Sequence, residues 1–147
     1  MKFKLIILLI LGIWSGMVLG ISFIEAPLKF QAPNITLTLG LGIGQLVFGA
    51  LNKVELVFSF LLLGLVGYQY QQLDNPVLVI ISLLIGIIAI QSIWLFPILD
   101  ARIDALQQGL TPAKTNHHFY YVALEILKVG GLIYGFIKIY KHAGHSR

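Results

Sequence analysis

Apolar residues fill four long stretches of this chain, and polar residues fall mainly between them. The first stretch runs from Leu5 to Ile24, about 20 residues, enough to cross a hydrocarbon layer about 30 Å thick. Within it Gly12, Gly16 and Gly20 recur every fourth residue. They share one helix face, on which a second helix can approach closely. Glu25-Ala26-Pro27 is expected to end this helix, because the residue before a proline is disfavoured in the α region. Lys2 and Lys4 ahead of an apolar run also fit a secretory signal with Gly20 near a cleavage point. The run continues past a typical signal core to Phe23 and Ile24, which favours a retained span.

Residues 26–34 form a connection, with Asn34 or Thr36 as the N-cap of the next helix. From there to Tyr70 the chain has no proline. A single helix of that length would be about 54 Å long, more than one span needs. Two readings fit. In one, residues 35–51 lie along the interface and the span begins near Leu51; in the other, Asn52-Lys53 is a turn between two short spans. The lack of Gly or Pro at Asn52-Lys53 favours the first. Gln71 to Pro76 is a polar loop, and residues 77–95 are nearly continuous apolar sequence. Trp94 and Pro97 are interface anchors at the end of that span, Trp94 as a member of an aromatic belt, and Pro97 does not by itself stop the helix. Residues 100–108 read as a polar helical extension, with Gly109 in the C′ position. Residues 111–116 are loop, and the last apolar stretch follows. The pattern therefore predicts a single-domain, all-α, integral membrane up-and-down bundle. Its four transmembrane helices lie at about 5–24, 51–70, 77–96 and 118–138.

Composition agrees. The 147 residues are 58% hydrophobic and 11% charged, whereas a soluble domain carries about 25% charged residues. A soluble fold this small keeps too much surface in water to hide so much apolar area. No cysteine is present, so disulfides, thiolate metal sites and thiol chemistry are excluded. The net charge of +4 suits anionic lipid headgroups. No basic stripe interleaved with aromatics marks a nucleic-acid surface. With four spans both termini share one side, which carries Lys2, Lys4, Lys138, Lys141 and Arg147. The positive-inside rule assigns that side to the cytoplasm, in a cell (inner or plasma) membrane.

Candidate chemistry concentrates at the start of the fourth helix. His118, Tyr121, Glu125 and Lys128 are spaced three, four and three, which puts them on one helix face. Glu125 lies about 10 Å and Lys128 about 15 Å in from His118. Ionisable groups inside a span are costly, so they face the bundle interior and pair. In a four-span bundle Gln91, Asn52, Glu55 and Glu25 map to the same, non-cytoplasmic half. This polar cluster fits a site for a small ligand, a lipid or an ion. It equally fits a hydrogen-bonded network that only fixes helix register. A membrane enzyme using His118 and Glu125 as acid and base on a lipid-soluble substrate is an alternative. A third is a structural subunit that meets a partner, or its own copy, through the Gly12, Gly16 and Gly20 face. One His with nearby carboxylates suits a divalent cation, yet no close-spaced His pair lies within a span. His142 and His145 read as solvated tail residues. No cofactor is specified. Gly40, Gly42 and Gly44 form no nucleotide loop, since no strand precedes them and no Lys-Ser/Thr follows. The serines lack a His-carboxylate arrangement.

Several landmarks together resemble the transmembrane-protein-205-like family of small four-span membrane proteins of unknown function. They are Leu39-Gly40, then Gln45-Leu46-Val47-Phe48, then Gln91-Ser92-Ile93-Trp94-Leu95-Phe96-Pro97, then His117-His118-Phe119-Tyr120. Gln91 stands where the family has Asn, and the family's proline in the second helix is missing. The resemblance implies four spans and a long second helix. It implies no reaction.

Overall fold

A computed structural model describes residues 2–144, and every regular element among them is helical. Four helical runs follow one another: α1 (residues 2–31), α2 (Leu37–Gln69), α3 (Asn75–Gln107) and α4 (His117–Gly144). The first three are long and apolar enough to cross a membrane. Many large apolar side chains point outward, among them Leu9, Ile13, Phe60, Ile93 and Ile126. In lipid such residues need no cover.

Proline does not end α1 as the sequence suggested. The helix is α over Lys2–Val18, widens to a π-helical segment over Leu19–Glu25, and runs on through Pro27 to Gln31. A proline removes one N–H, and its ring collides with the carbonyl four residues back. The wider segment relieves this: the Ala26 N–H reaches back five residues to the Ile21 carbonyl. α3 repeats the device. It is π-helical over Gln91–Leu95, the Phe96 N–H bonds to the Gln91 carbonyl, and Pro97 follows. Each wide segment holds one extra residue, advancing the face beyond it by about 100° around the axis.

α2 starts at Thr36, whose hydroxyl oxygen accepts from the Leu39 N–H at 3.2 Å. Asn34, the other candidate cap, instead turns the chain with φ at +65°. The helix continues unbroken through Asn52 and Lys53 for 33 residues, so the two-short-spans reading is wrong. At about 1.5 Å per residue it is about 50 Å long, longer than a hydrocarbon core of about 30 Å requires. α3 closes as expected. Gly109 has φ +78°, its N–H bonds to the Leu106 carbonyl, and the Leu110 N–H bonds to the Ala105 carbonyl. That is a Schellman ending.

The core is a heptad seam. The seam positions are Ile7, Leu11, Trp14 and Val18 on α1, with Leu8 and Ile10 buried beside them, and Val77, Ile81, Leu84, Ile88, Gln91 and Leu95 on α3. Tyr121, Glu125, Lys128, Leu132, Gly135 and Ile139 form the seam of α4. The spacing alternates between three and four, the pattern that interlocks adjacent helices. On α2 the inward positions include Gly40, Gly44, Leu51, Glu55, Ser59 and Leu62.

The glycines in the first half of α2 are seats for side chains from α1 and α3. A Cβ on Gly40 would run into the Phe30 ring, one on Gly42 into the Gln107 amide, and one on Gly44 would come within 3.0 Å of Lys29 Nζ. Gln45 Nε2 also donates to Asp104 Oδ1 at 2.8 Å. The first third of α2 is thus held against the ends of α1 and α3. Gly40→Val is expected to destabilise the protein by about 1–3 kcal/mol through overpacking. Gly64→Val, where a Cβ meets nothing within 4 Å, should change stability by less than about 0.5 kcal/mol. Unfolding in mixed micelles measures both.

Candidate functional site

Lys128 is fully buried at the centre of a network that joins all four helices. Its ammonium lies 2.6 Å from Glu55 Oε1 on α2 and 2.5 Å from Glu125 Oε1 one turn back on α4. It also donates to Gln91 Oε1 on α3 at 3.0 Å. An ammonium has three donors, so each has an acceptor. Gln91 Nε2 donates to Glu125 Oε1 at 2.9 Å. From α1, Trp14 Nε1 donates to Glu55 Oε1 at 2.9 Å and Ser22 Oγ to Glu125 Oε2 at 2.6 Å. Glu55 and Gln91 are 0% exposed and Glu125 2%. Away from water, hydrogen-bonded pairing of this kind is what makes buried charge tolerable. Glu55 Oε2 has no hydrogen-bond partner among the described residues.

Both π-helical segments feed this network. Ser22 lies in that of α1 and Gln91 opens that of α3. The prolines that widen these helices therefore sit beside the residues that reach Glu125.

A cavity of about 610 Å³ opens at the same end of the bundle. It lies among the C-terminal parts of α1 and α3 and the N-terminal parts of α2 and α4. Its walls are mainly apolar, including Phe23, Leu41, Phe48, Ile103, Leu106 and Val122. Ser22 and Glu125 line it and connect it to the ion network; Lys29, Asp100, Arg102 and His118 line it as well. Tyr121 is buried, lines the cavity, and meets Phe48 edge-on with ring centroids 5.8 Å apart. Lys29 Nζ lies 5.6 Å from the Phe48 centroid and 5.7 Å from that of Phe30, and it pairs with Glu25 at 3.2 Å.

Of the residues singled out from the sequence, Glu55, Gln91, Glu125 and Lys128 come together. Tyr121 borders the cavity beside them. Asn52 is buried but bonds Ser92 Oγ at 2.7 Å, apart from the ions. Glu25 does not reach the network; it is paired with Lys29, one turn further along α1. His118 is exposed at the cavity rather than buried with Tyr121 and Glu125. It lies seven residues before Glu125, about 10 Å along the axis. Trp94 is half exposed and stacks on Tyr120 with centroids 6.5 Å apart, with His117 edge-on to both rings; Pro97 is exposed. A Cβ on Gly12 would come within 3.4 Å of the Phe136 ring, and among the described residues nothing lies within 4 Å of a Cβ on Gly16 or Gly20.

Among the described residues no group of three His, Cys, Asp or Glu side chains is arranged to hold a metal ion. Lys128 stands between the two deepest carboxylates instead. His145 lies outside the described residues. Trp14 and Ser22 were missed in the sequence. An indole N–H on a buried helix face needs an acceptor, and that signal was there for Trp14. Nothing local distinguished Ser22 from the other serines of the spans. Comparison with family models, with curated proteins and with solved structures finds no match.

Proposed function

We propose that this chain is a four-span membrane protein whose cavity takes a lipid-soluble small molecule, with the Glu55–Lys128–Glu125 network as its floor. One observation carries the reading: an open cavity of about 610 Å³, mainly apolar, that ends on a buried carboxylate. Ligand sites have this size and this mixture of apolar wall and few polar groups. α4 is the fourth span in this reading, its two deep charges neutralised by contacts with α2 and α3. The aromatic group of Trp94, His117, Phe119 and Tyr120 supports a headgroup boundary at that level. Lys53, exposed on α2, fits the same boundary. The cavity would then open where amphiphiles partition, on the side opposite the basic termini, in a cell membrane. Membership of the transmembrane-protein-205-like family belongs to the same proposal, supported by the long α2 and the Gln91-to-Pro97 element.

The acid–base enzyme reading draws less support, because both Glu125 oxygens already accept hydrogen bonds and His118 lies apart. Assembly through the α1 glycine face is a second reading, favoured because no side chain among the described residues comes within 4 Å of a Cβ on Gly16 or Gly20.

The test uses 1-aminoanthracene, an uncharged fluorescent probe, with protein in phosphatidylcholine nanodiscs and empty nanodiscs subtracted. Saturable binding at one probe per chain is expected. Val122→Trp fills the cavity from a position outside the ion network, and it should abolish the signal with the fold intact. Binding that is non-saturable, or unchanged in the variant, contradicts the reading.

A further inference from the structure

The cavity's charge and its rings narrow the ligand class, on the basis of the pocket reading above. The network at its floor sets two carboxylates, Glu55 and Glu125, against one ammonium, Lys128. Counted in formal charges it is one positive charge short of neutrality, and Glu125 is the carboxylate of the network that lines the cavity, with Glu55 behind it. A cation entering from the cavity side supplies that charge, in surroundings where low polarity strengthens its attraction. An anion would meet Glu125 at the floor. It would also find Lys29 already paired with Glu25, and Asp100 as well as Arg102 on the wall.

The aromatic walls point the same way. Phe30 and Phe48 already hold an ammonium over their rings, that of Lys29, at 5.7 and 5.6 Å. Aromatic faces attract cations through the ring quadrupole, most strongly away from water. Tyr121 stands against Phe48 and one helical turn above Glu125, so a ring pair and a carboxylate share one side of the cavity. The remaining wall, Leu41, Ile103 and Leu106, is apolar.

We infer that the cavity binds an amphiphilic organic cation, an ammonium or phosphonium on an apolar body. Its charged centre lies at Glu125 beside Phe48 and Tyr121, and its body lies against Leu41, Ile103 and Leu106.

Tetraphenylphosphonium and tetraphenylborate test this, since they match in size and shape and differ in the sign of charge. Each is measured by equilibrium dialysis against protein in phosphatidylcholine nanodiscs, with empty nanodiscs subtracted. The phosphonium is expected to saturate at one per chain and to bind roughly tenfold or more tightly than the borate. Phe48→Leu keeps the wall apolar but removes the ring, lies outside the ion network, and should weaken phosphonium binding about fivefold. Binding of 1-aminoanthracene to the same variant is the reference for lost wall contact, and the phosphonium should lose more than this uncharged probe does. Equal or tighter binding of the borate overturns the inference, as does phosphonium binding indifferent to Phe48→Leu. If neither ion binds while 1-aminoanthracene does, the inference fails and the pocket reading stands. If 1-aminoanthracene also fails to bind, both fall.

Discussion

Lys128→Met will destabilise the protein by about 3–5 kcal/mol, the range for removing one partner from a buried ion pair. Methionine keeps the length of the stem and removes the charge. Glu55 and Glu125 would then face each other as buried carboxylates with no cation, and Gln91 Oε1 would lose its donor. Glu125→Gln should cost much less, about 1 kcal/mol. It leaves Lys128 and Glu55 as a balanced pair, and the Gln side chain still has an oxygen for the ammonium. The combination of Lys128→Met with Glu55→Gln and Glu125→Gln should recover most of the loss, since neutral replacement of a whole buried ion set is often tolerated. Unfolding titrations in mixed micelles measure all three. A Lys128→Met protein as stable as wild type would mean that the network is not buried together.

Gln91→Leu is expected to destabilise by roughly 2 kcal/mol. The amide makes two contacts to charged groups, accepting from Lys128 and donating to Glu125. A hydrogen bond to a charged group contributes about 1.5–3 kcal/mol in water-soluble proteins. Bonds between transmembrane helices average only about 0.6 kcal/mol, with a maximum near 1.7, so the sum sits near the lower end. Gln91→Glu should be worse than Gln91→Leu, because it adds a third carboxylate around one ammonium. The same titration reads both, and the order of the two variants separates an electrostatic role from simple packing.

Much of the fold was legible from periodicity. The heptad seam of α4 runs through Tyr121, Glu125, Lys128 and Leu132, so polar side chains at seam positions had to meet partners in the bundle interior. Gln91 falls in the same register on α3. Three features escaped for physical reasons. Local rules stop a helix before Pro27, but a π-helical segment upstream lets the helix continue, and a single sequence carries no sign of which will happen. Gly40, Gly42 and Gly44 were excluded as a phosphate loop, yet their use became visible only once Phe30, Gln107 and Lys29 were brought to them by α1 and α3. Ser22 is separated from Glu125 by 103 positions, and only tertiary packing joins them. His118 shows the limit of a helical-wheel reading. It shares a face with Tyr121 and Glu125, but at the helix end that face looks into the cavity mouth rather than into the seam.

The most direct measurement is the accessibility of single cysteines at the two ends of α4, the helix that carries Tyr121, Glu125 and Lys128. The chain has no cysteine of its own, so each introduced thiol is read without background. Asn116→Cys and Tyr140→Cys both replace exposed residues. In intact cells treated with a membrane-impermeant maleimide, Asn116→Cys should be labelled, and Tyr140→Cys only after permeabilisation. Labelling of both from the same side would mean that α4 does not cross the membrane. The cavity and its charged floor would then not lie within a four-span bundle.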